Sequence, residues 1–172
     1  IAYSILHNAD DDTNIRFPTA NTFSVETAGS ERLRINGNGQ ILVGSSSNRQ
    51  TRLGGSNFSP NFQIESDSVA AASICRFSDT IAPSRFVLQK GRGTIASAST
   101  VADGDQVGQI LFSGWDGDNF TNAAEIRAEV DGEPGDEDMP GALSLRTTPD
   151  GSKFTSERVR ITSGGQTLFT GV

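Results

Sequence analysis

The sequence predicts an all-β chain: a short-strand antiparallel sandwich or meander lobe flanked by β-hairpin repeats. Three observations predict it. Apolar and polar residues alternate over short runs, the period of a half-buried strand. Clusters of Gly, Asn, Asp and Pro punctuate the chain at the spacing of sandwiches and meanders, and no helical period fills the gaps. Finally, Glu31-Arg32-Leu33-Arg34-Ile35, a Gly-bearing turn and Gln40-Ile41-Leu42-Val43 return as Glu157-Arg158-Val159-Arg160-Ile161, another such turn and Gln166-Thr167-Leu168-Phe169. Residue 31 maps to residue 157, an offset of 126. A two-strand unit that recurs near both ends of a chain suggests a repeat in an extended structural assembly, not a catalytic module.

In order, Ile1 to Leu6 reads as a short strand and Asn8 to Asn14 as a turn. Asp10-Asp11-Asp12 lies in that turn, but calcium loops place their ligands at alternate positions around a glycine, which this run lacks. Ile15-Arg16-Phe17 is limited to a strand end by Pro18. Thr22 to Thr27 sets Phe23, Val25 and Thr27 against Thr22, Ser24 and Glu26. After Ala28-Gly29-Ser30, Leu33 and Ile35 face away from Arg32 and Arg34. Asn36-Gly37 is a strong hairpin signal, since both residues tolerate positive φ. Ile41 and Val43 then rejoin the apolar face. Ser45 to Asn61 is linker-like, and a boundary is placed near residue 52.

Phe62 to Glu65 resumes as a strand. Val69 to Ala72 has the composition of one helical turn, too short to stand alone. Ile74–Phe77 and Ser84–Lys90 read as strands, Gly91-Arg92-Gly93 as a break, and Ala96 to Asp105 as a small-residue loop. Val107 to Trp115 is the most apolar strand, turned by Asp116-Gly117-Asp118-Asn119. Ala123 to Val130 alternates as a strand, Asp131 to Pro140 is an acidic loop, and Ala142–Thr147 precedes the final repeat. This gives ten to twelve strands in three parts: an N-terminal repeat (1–52), a globular β lobe (53–148) and a second hairpin repeat (149–172).

The chain has 172 residues and a net charge of −7, and its basic residues are scattered. Nucleic-acid binding needs clustered Lys and Arg, so that partner is excluded. No apolar run approaches the length of a membrane-spanning helix. Only 34% of the residues are hydrophobic and they are thinly spread, which suits a chain that shares its core with copies of itself. Cys75 is the sole cysteine and His7 the sole histidine, too few for a zinc site. Cys75 reads as a small buried hydrophobe on a strand. The start at Ile1 is that of a fragment, a processed product or the ordered part of something longer.

No nucleophile motif, phosphate loop, metal motif or dinucleotide fingerprint is present, so no catalytic, cofactor-binding or metal-binding residue is assigned and the chain is not read as an enzyme. Trp115, Asp116 and Asp118 form a candidate glycan contact. The competing reading of Trp115 is an apolar anchor at the end of its strand.

Ile15-Arg16-Phe17-Pro18 and Glu26 through Ile35 resemble the repeated units of tail-fibre and related virion fibre proteins of bacteriophages, especially cyanophage-like ones. A second block resembles the globular repeat of such fibres: Gly104 to Gly108, Phe112-Ser113-Gly114, Asp116-Gly117, Ala128 to Gly132, Asp138 to Gly141, Leu143 to Thr148 and Glu157 to Ile161. The resemblance implies a structural module of a tail fibre or virion appendage, located in the virion and supporting attachment to the host surface. It implies an intertwined homotrimer with no cofactor. Its partners would be itself, other virion proteins and a host-surface glycan or protein. Nucleic acid and membrane insertion are not implied. Leu33, Ile35, Ile41 and Val43, with Val159 and Ile161, would then form the oligomer core, and Arg32 and Arg34 would pair with acidic neighbours. The alternatives are a carbohydrate-binding, adhesin-like lobe over 62–148 and a depolymerase fragment.

Overall fold

A computed structural model describes residues 4–53 and 56–171. Fifteen strands and no helix occur among them. They are β1 (Ser4–His7), β2 (Asp10–Arg16), β3 (Phe23–Thr27), β4 (Ser30–Ile35), β5 (Ile41–Val43), β6 (Thr51–Leu53), β7 (Ser56–Phe58) and β8 (Phe62–Ile64). There follow β9 (Arg92–Thr94), β10 (Ser97–Ser99), β11 (Gln106–Trp115), β12 (Phe120–Val130), β13 (Gly141–Thr147), β14 (Ser156–Ile161) and β15 (Thr167–Phe169). One sheet runs β1-β2-β3-β4-β5-β8. A second runs β15-β14-β13-β12-β6-β7 with β11 on β12, and β9-β10 is a separate hairpin. Contacts divide the chain into two units, Ile1–Thr51 with Asn57–Cys75, and Arg52–Ser56 with Arg76–Val172.

The repeat proves larger than the residue identities reveal. The β4–β5 register pairs Leu33 with Val43, Arg34 with Leu42 and Ile35 with Ile41. The β14–β15 register pairs Val159 with Phe169, Arg160 with Leu168 and Ile161 with Thr167, the same positions displaced by 126. The turns match as well. Asn36 N donates to Gln40 O at 3.1 Å and Gly39 N to Asn36 O at 2.9 Å, and Thr162, Gln166 and Gly165 repeat both bonds. The preceding strands follow: Ser24 faces Arg34 as Ser144 faces Arg160, and both ladders carry an irregularity just after Val25 and Leu145. Further out, Arg16 opposes Ser24 and Ser4, as Arg127 opposes Ser144 and Gln109. The antiparallel meander β1–β5 is therefore built again as β11–β15. Between β3 and β4 the connection is Ala28-Gly29; between β13 and β14 it is residues 148–155.

Several local expectations change. Asp10–Asp12 lie in β2, because the reversal is made at Asn8-Ala9, where Ala9 has φ 64. In the 36–39 turn, positive φ falls on Gly39 and not on Asn36 or Gly37. Asn36 serves instead as an acceptor, its Oδ1 taking the N–H groups of Asn38 and Gln40. The linker-like 45–61 stretch is shaped: the buried Gln63 accepts from Arg49 N at 2.9 Å, and Gln40 donates to Pro60 O at 3.3 Å. It also contributes β6 and β7, and Arg92 and Ser97 open the short β9 and β10 where a break and a loop were expected. Residues 69–72, 74–77 and 84–90 form neither helical turn nor strand. Cys75 is exposed and off any strand, since no neighbouring strand covers it.

β5 and β8 depart from the expected antiparallel pairing. They run parallel, Leu42 beside Gln63, because the 44–61 excursion brings the chain back in its original direction. Gly44 makes the exit: its φ is +77, and a Cβ there would fall 2.2 Å from the Glu65 carbonyl oxygen. Gly44→Ala should destabilise the N-terminal unit by about 1–3 kcal/mol through left-handed strain, with the clash added. Chemical denaturation checks this, with Gly39→Ala, where the added Cβ meets nothing within 4 Å, as the milder comparison.

Candidate assembly surface

The binary pattern is obeyed, but its apolar side points outward. Along β13, Ala142 and Ser144 are 4% and 1% exposed, while Leu143 and Leu145 between them are 43% and 46% exposed. Register spreads this across the sheet. Leu145 lies beside Ile126 and Val159, Ile126 beside Ile110, and Val159 beside Phe169. Leu143 lies beside Ala128 and Ile161. In the N-terminal sheet the same ladders align Ile15, Val25, Leu33 and Val43, and next to them Phe23, Ile35 and Ile41. Ile5, Ile35 and Ile41 there are exposed. The expected oligomer-core residues thus fall on one face per sheet: Leu33, Ile35, Ile41 and Val43 together, Val159 and Ile161 on the counterpart. Ile110, Ile126, Leu143 and Leu145 share the face of Val159 and Ile161; the sequence showed their alternation without joining them to that set.

The total surface agrees with this. Two compact units of these sizes would together expose about 9,800 Å², and the chain exposes 12291 Å². The difference is roughly 2,500 Å², the scale of an obligate interface.

The opposite face is polar and buried. Glu125, 2% exposed, pairs with Arg127 and with Arg146 Nε at 2.8 Å, and accepts from Thr155 Oγ1 at 3.0 Å. Arg160 spans Glu129 and Asp131, each at 2.8 Å, with Glu157 at 3.3 Å. The N-terminal sheet has a sparser version, Arg34 forked on Glu31 at 2.6 Å and Arg16 on Glu26 at 2.9 Å. In the C-terminal sheet these long side chains bury one another's stems; in the N-terminal sheet Arg16 stays half exposed and Leu42, opposite Arg34, is the buried residue.

Asp131 ties this ladder to the last hairpin. The Ser163 N–H, at 2.8 Å, and then the Arg160 guanidinium hold its carboxyl down to about 2, from an ordinary 3.8. Asp116 is likewise held to about 2 by the Asn119 N–H, the Thr121 hydroxyl and the Asp118 N–H. A depressed carboxyl contributes stability above its unfolded value and loses it as pH falls through the folded one. Melting temperature should therefore fall between about pH 4 and pH 2, and less steeply in Asp131→Asn, where the group no longer titrates.

The candidate glycan residues share one turn. Trp115 is 58% exposed and meets Phe120 edge-on, ring centroids 5.4 Å apart. Asp116 is committed to its own turn, accepting from Asp118 N, Asn119 N and Thr121 Oγ1. It also lines a hollow with Arg52, Lys153 and Phe154, which Trp115 and Asp118 do not reach. A second cavity, of about 320 Å³, is lined by Gln106, Gln109, Asn122, Glu125, Arg127, Arg146 and the 153–155 loop. Two atoms of its lining residues, Glu125 Oε2 and Arg127 Nε, are sealed from solvent without a hydrogen-bond partner. The alternation of 123–130 placed Glu125 and Arg127 on one face, but alternation alone does not show that the face is walled by the 153–155 loop. Among the described residues no cluster of three or more His, Cys, Asp or Glu could hold a metal, and no helix is long and apolar enough to cross a membrane.

No family model and no curated protein matches the sequence. Solved structures do match. One is the carboxy-terminal domain of the bacteriophage T5 L-shaped tail fibre with its intra-molecular chaperone domain: TM-score 0.71, 14% identity, 99% of this chain and 54% of that one. Another is the carboxy-terminal domain of the same fibre: TM-score 0.70, 14% identity, 99% of this chain and 78% of that one. The chain spans about half the length of the first, and at this identity the likeness is one of fold.

Proposed function

We propose that the chain is a structural module of a phage tail fibre or comparable virion appendage, working as a homotrimer in support of attachment to the host surface. The observation that carries the proposal is the outward apolar face of Leu143, Leu145 and their ladder neighbours. Such a face needs a second layer, and none of the described residues of its own unit forms one. The shared fold with a tail-fibre domain points to the same class of protein. In this reading the two meanders, β1–β5 and β11–β15, are successive fibre repeats, the second reaching back from the 149–172 hairpin into the 53–148 stretch. The core joins Leu33, Ile35, Ile41, Val43, Val159 and Ile161 to their counterparts in other copies, other virion proteins are neighbours, and no reaction is catalysed. Light scattering on the purified chain tests it: a three-chain mass is expected, and a stable single chain would overturn it.

The polar cavity favours a second reading, a carbohydrate-binding lobe. Sugar hydroxyls both donate and accept, and the side-chain amides of Gln106 and Gln109 on the wall do the same. Phe154 and Lys153 on the wall suit a sugar ring. Glycan-array binding abolished by Phe154→Ala would support this reading, and Trp115→Ala would separate it from a site at the β11–β12 turn. An empty array would overturn it and leave the structural role standing.

A further inference from the structure

Residues 66–90 make no backbone-to-backbone hydrogen bond among the described residues. Yet their composition is not that of a solvated linker. Phe77 and Ile81 are almost wholly exposed, and Phe86 and Val87 are exposed as well. A run of large apolar side chains at the surface needs a cover. No described residue covers Phe77, Ile81, Phe86 or Val87. The segment is nonetheless shaped. Arg76 donates to Ala82 O at 2.6 Å and to Thr80 Oγ1 at 3.0 Å, closing 76–82 into a loop with Phe77 and Ile81 outside it. Leu88 is anchored: a Cβ on Gly108 would sit 2.8 Å from the Leu88 Cβ, so β11 is relieved of a side chain where Leu88 crosses it.

We infer that residues 76–90 form a strap that docks on a second copy of this chain. It lies across that copy's sheet face, where its apolar side chains cover the face and its backbone is shielded from water. A second copy is the occupant because one sequence carries both halves of the contact: a bare apolar strap, and a bare apolar face at Ile110, Leu143 and Leu145. The roughly 2,500 Å² of surplus surface is also of the size that a strap and a face would remove together. Each copy both gives and receives, a heterologous contact that closes into a ring. The inference rests on the assembly reading and adds that assembly is by exchange of this strap.

Hydrogen exchange on the full chain, read by mass spectrometry, tests it. Amides 84–90 should be slowed at least roughly a hundredfold in the multi-chain form. A photo-crosslinking residue at Phe86 should give products of two and three chains. Multi-chain protein with free-peptide exchange at 84–90 would overturn the strap and leave the assembly reading intact. Crosslinks confined to one chain would do the same, and would show that the segment covers its own chain. A single-chain mass would overturn both.

Discussion

Leu145→Glu should turn the assembly into single chains. Leu145 is central in β13, flanked by Ile126 and Val159, and about half of it is left to solvent in the isolated chain. Covering the other half of a leucine contributes about 1 kcal/mol per copy. A carboxylate forced into the same contact costs several kcal/mol per ion, and symmetry repeats it in every copy. The chain's own ladder hydrogen bonds are untouched, so β-sheet circular dichroism should survive while the mass drops. Lys153→Glu alters charge off that face and should leave the mass unchanged. An undiminished mass for Leu145→Glu would mean that this face is not the interface.

Glu125→Ala should give the largest loss of stability of any single change on the polar face. It removes the near-buried carboxylate shared by Arg127 and Arg146 and leaves these two largely buried guanidinium groups with only longer contacts, to Glu129 at 3.4 Å and Glu157 at 3.6 Å. Breaking a buried ion pair in this way costs about 3–5 kcal/mol. For a chain of this size that lowers the melting temperature by roughly 10 °C. Glu125→Gln should cost less, because an amide oxygen can still accept from Thr155. Replacing the set by apolar residues, Glu125→Leu with Arg127→Met and Arg146→Met, should recover most of the loss. If the triple variant is no better than Glu125→Ala, the cost is one of packing and not of stranded charge.

These two variants act on opposite sides of one sheet, and the sequence showed only part of that. The recurrence of Glu31–Val43 at Glu157–Phe169 was plain because both the residues and the turn are retained. The rest of the duplicated meander was hidden, since β1–β3 and β11–β13 keep register and not identity: Asn14 stands where Glu125 does, and Glu26 where Arg146 does. Alternation identified β13 as a strand, but alternation is symmetric and does not say which side faces water. The side chains decided it, because arginine and glutamate ladders cover themselves and leucines do not. The stretches 74–77 and 84–90 have strand composition and no strand, because pairing depends on a partner that local sequence does not contain. The polar cavity depends on the 148–155 connection, longer than Ala28-Gly29, which only the matched registers expose.

The central claim is that the apolar sheet faces are covered by other copies of the chain. Thiol reactivity measures that cover directly. In a Cys75→Ser background, which removes the one exposed native thiol, cysteine is placed at Leu145 and, as a control, at the exposed Lys153. The account predicts that Cys at 145 resists a maleimide in the multi-chain protein, reacts fully on unfolding, and reacts in the native state only in proportion to the single chains produced by dilution. Native-state labelling at 145 as fast as at 153 would contradict it.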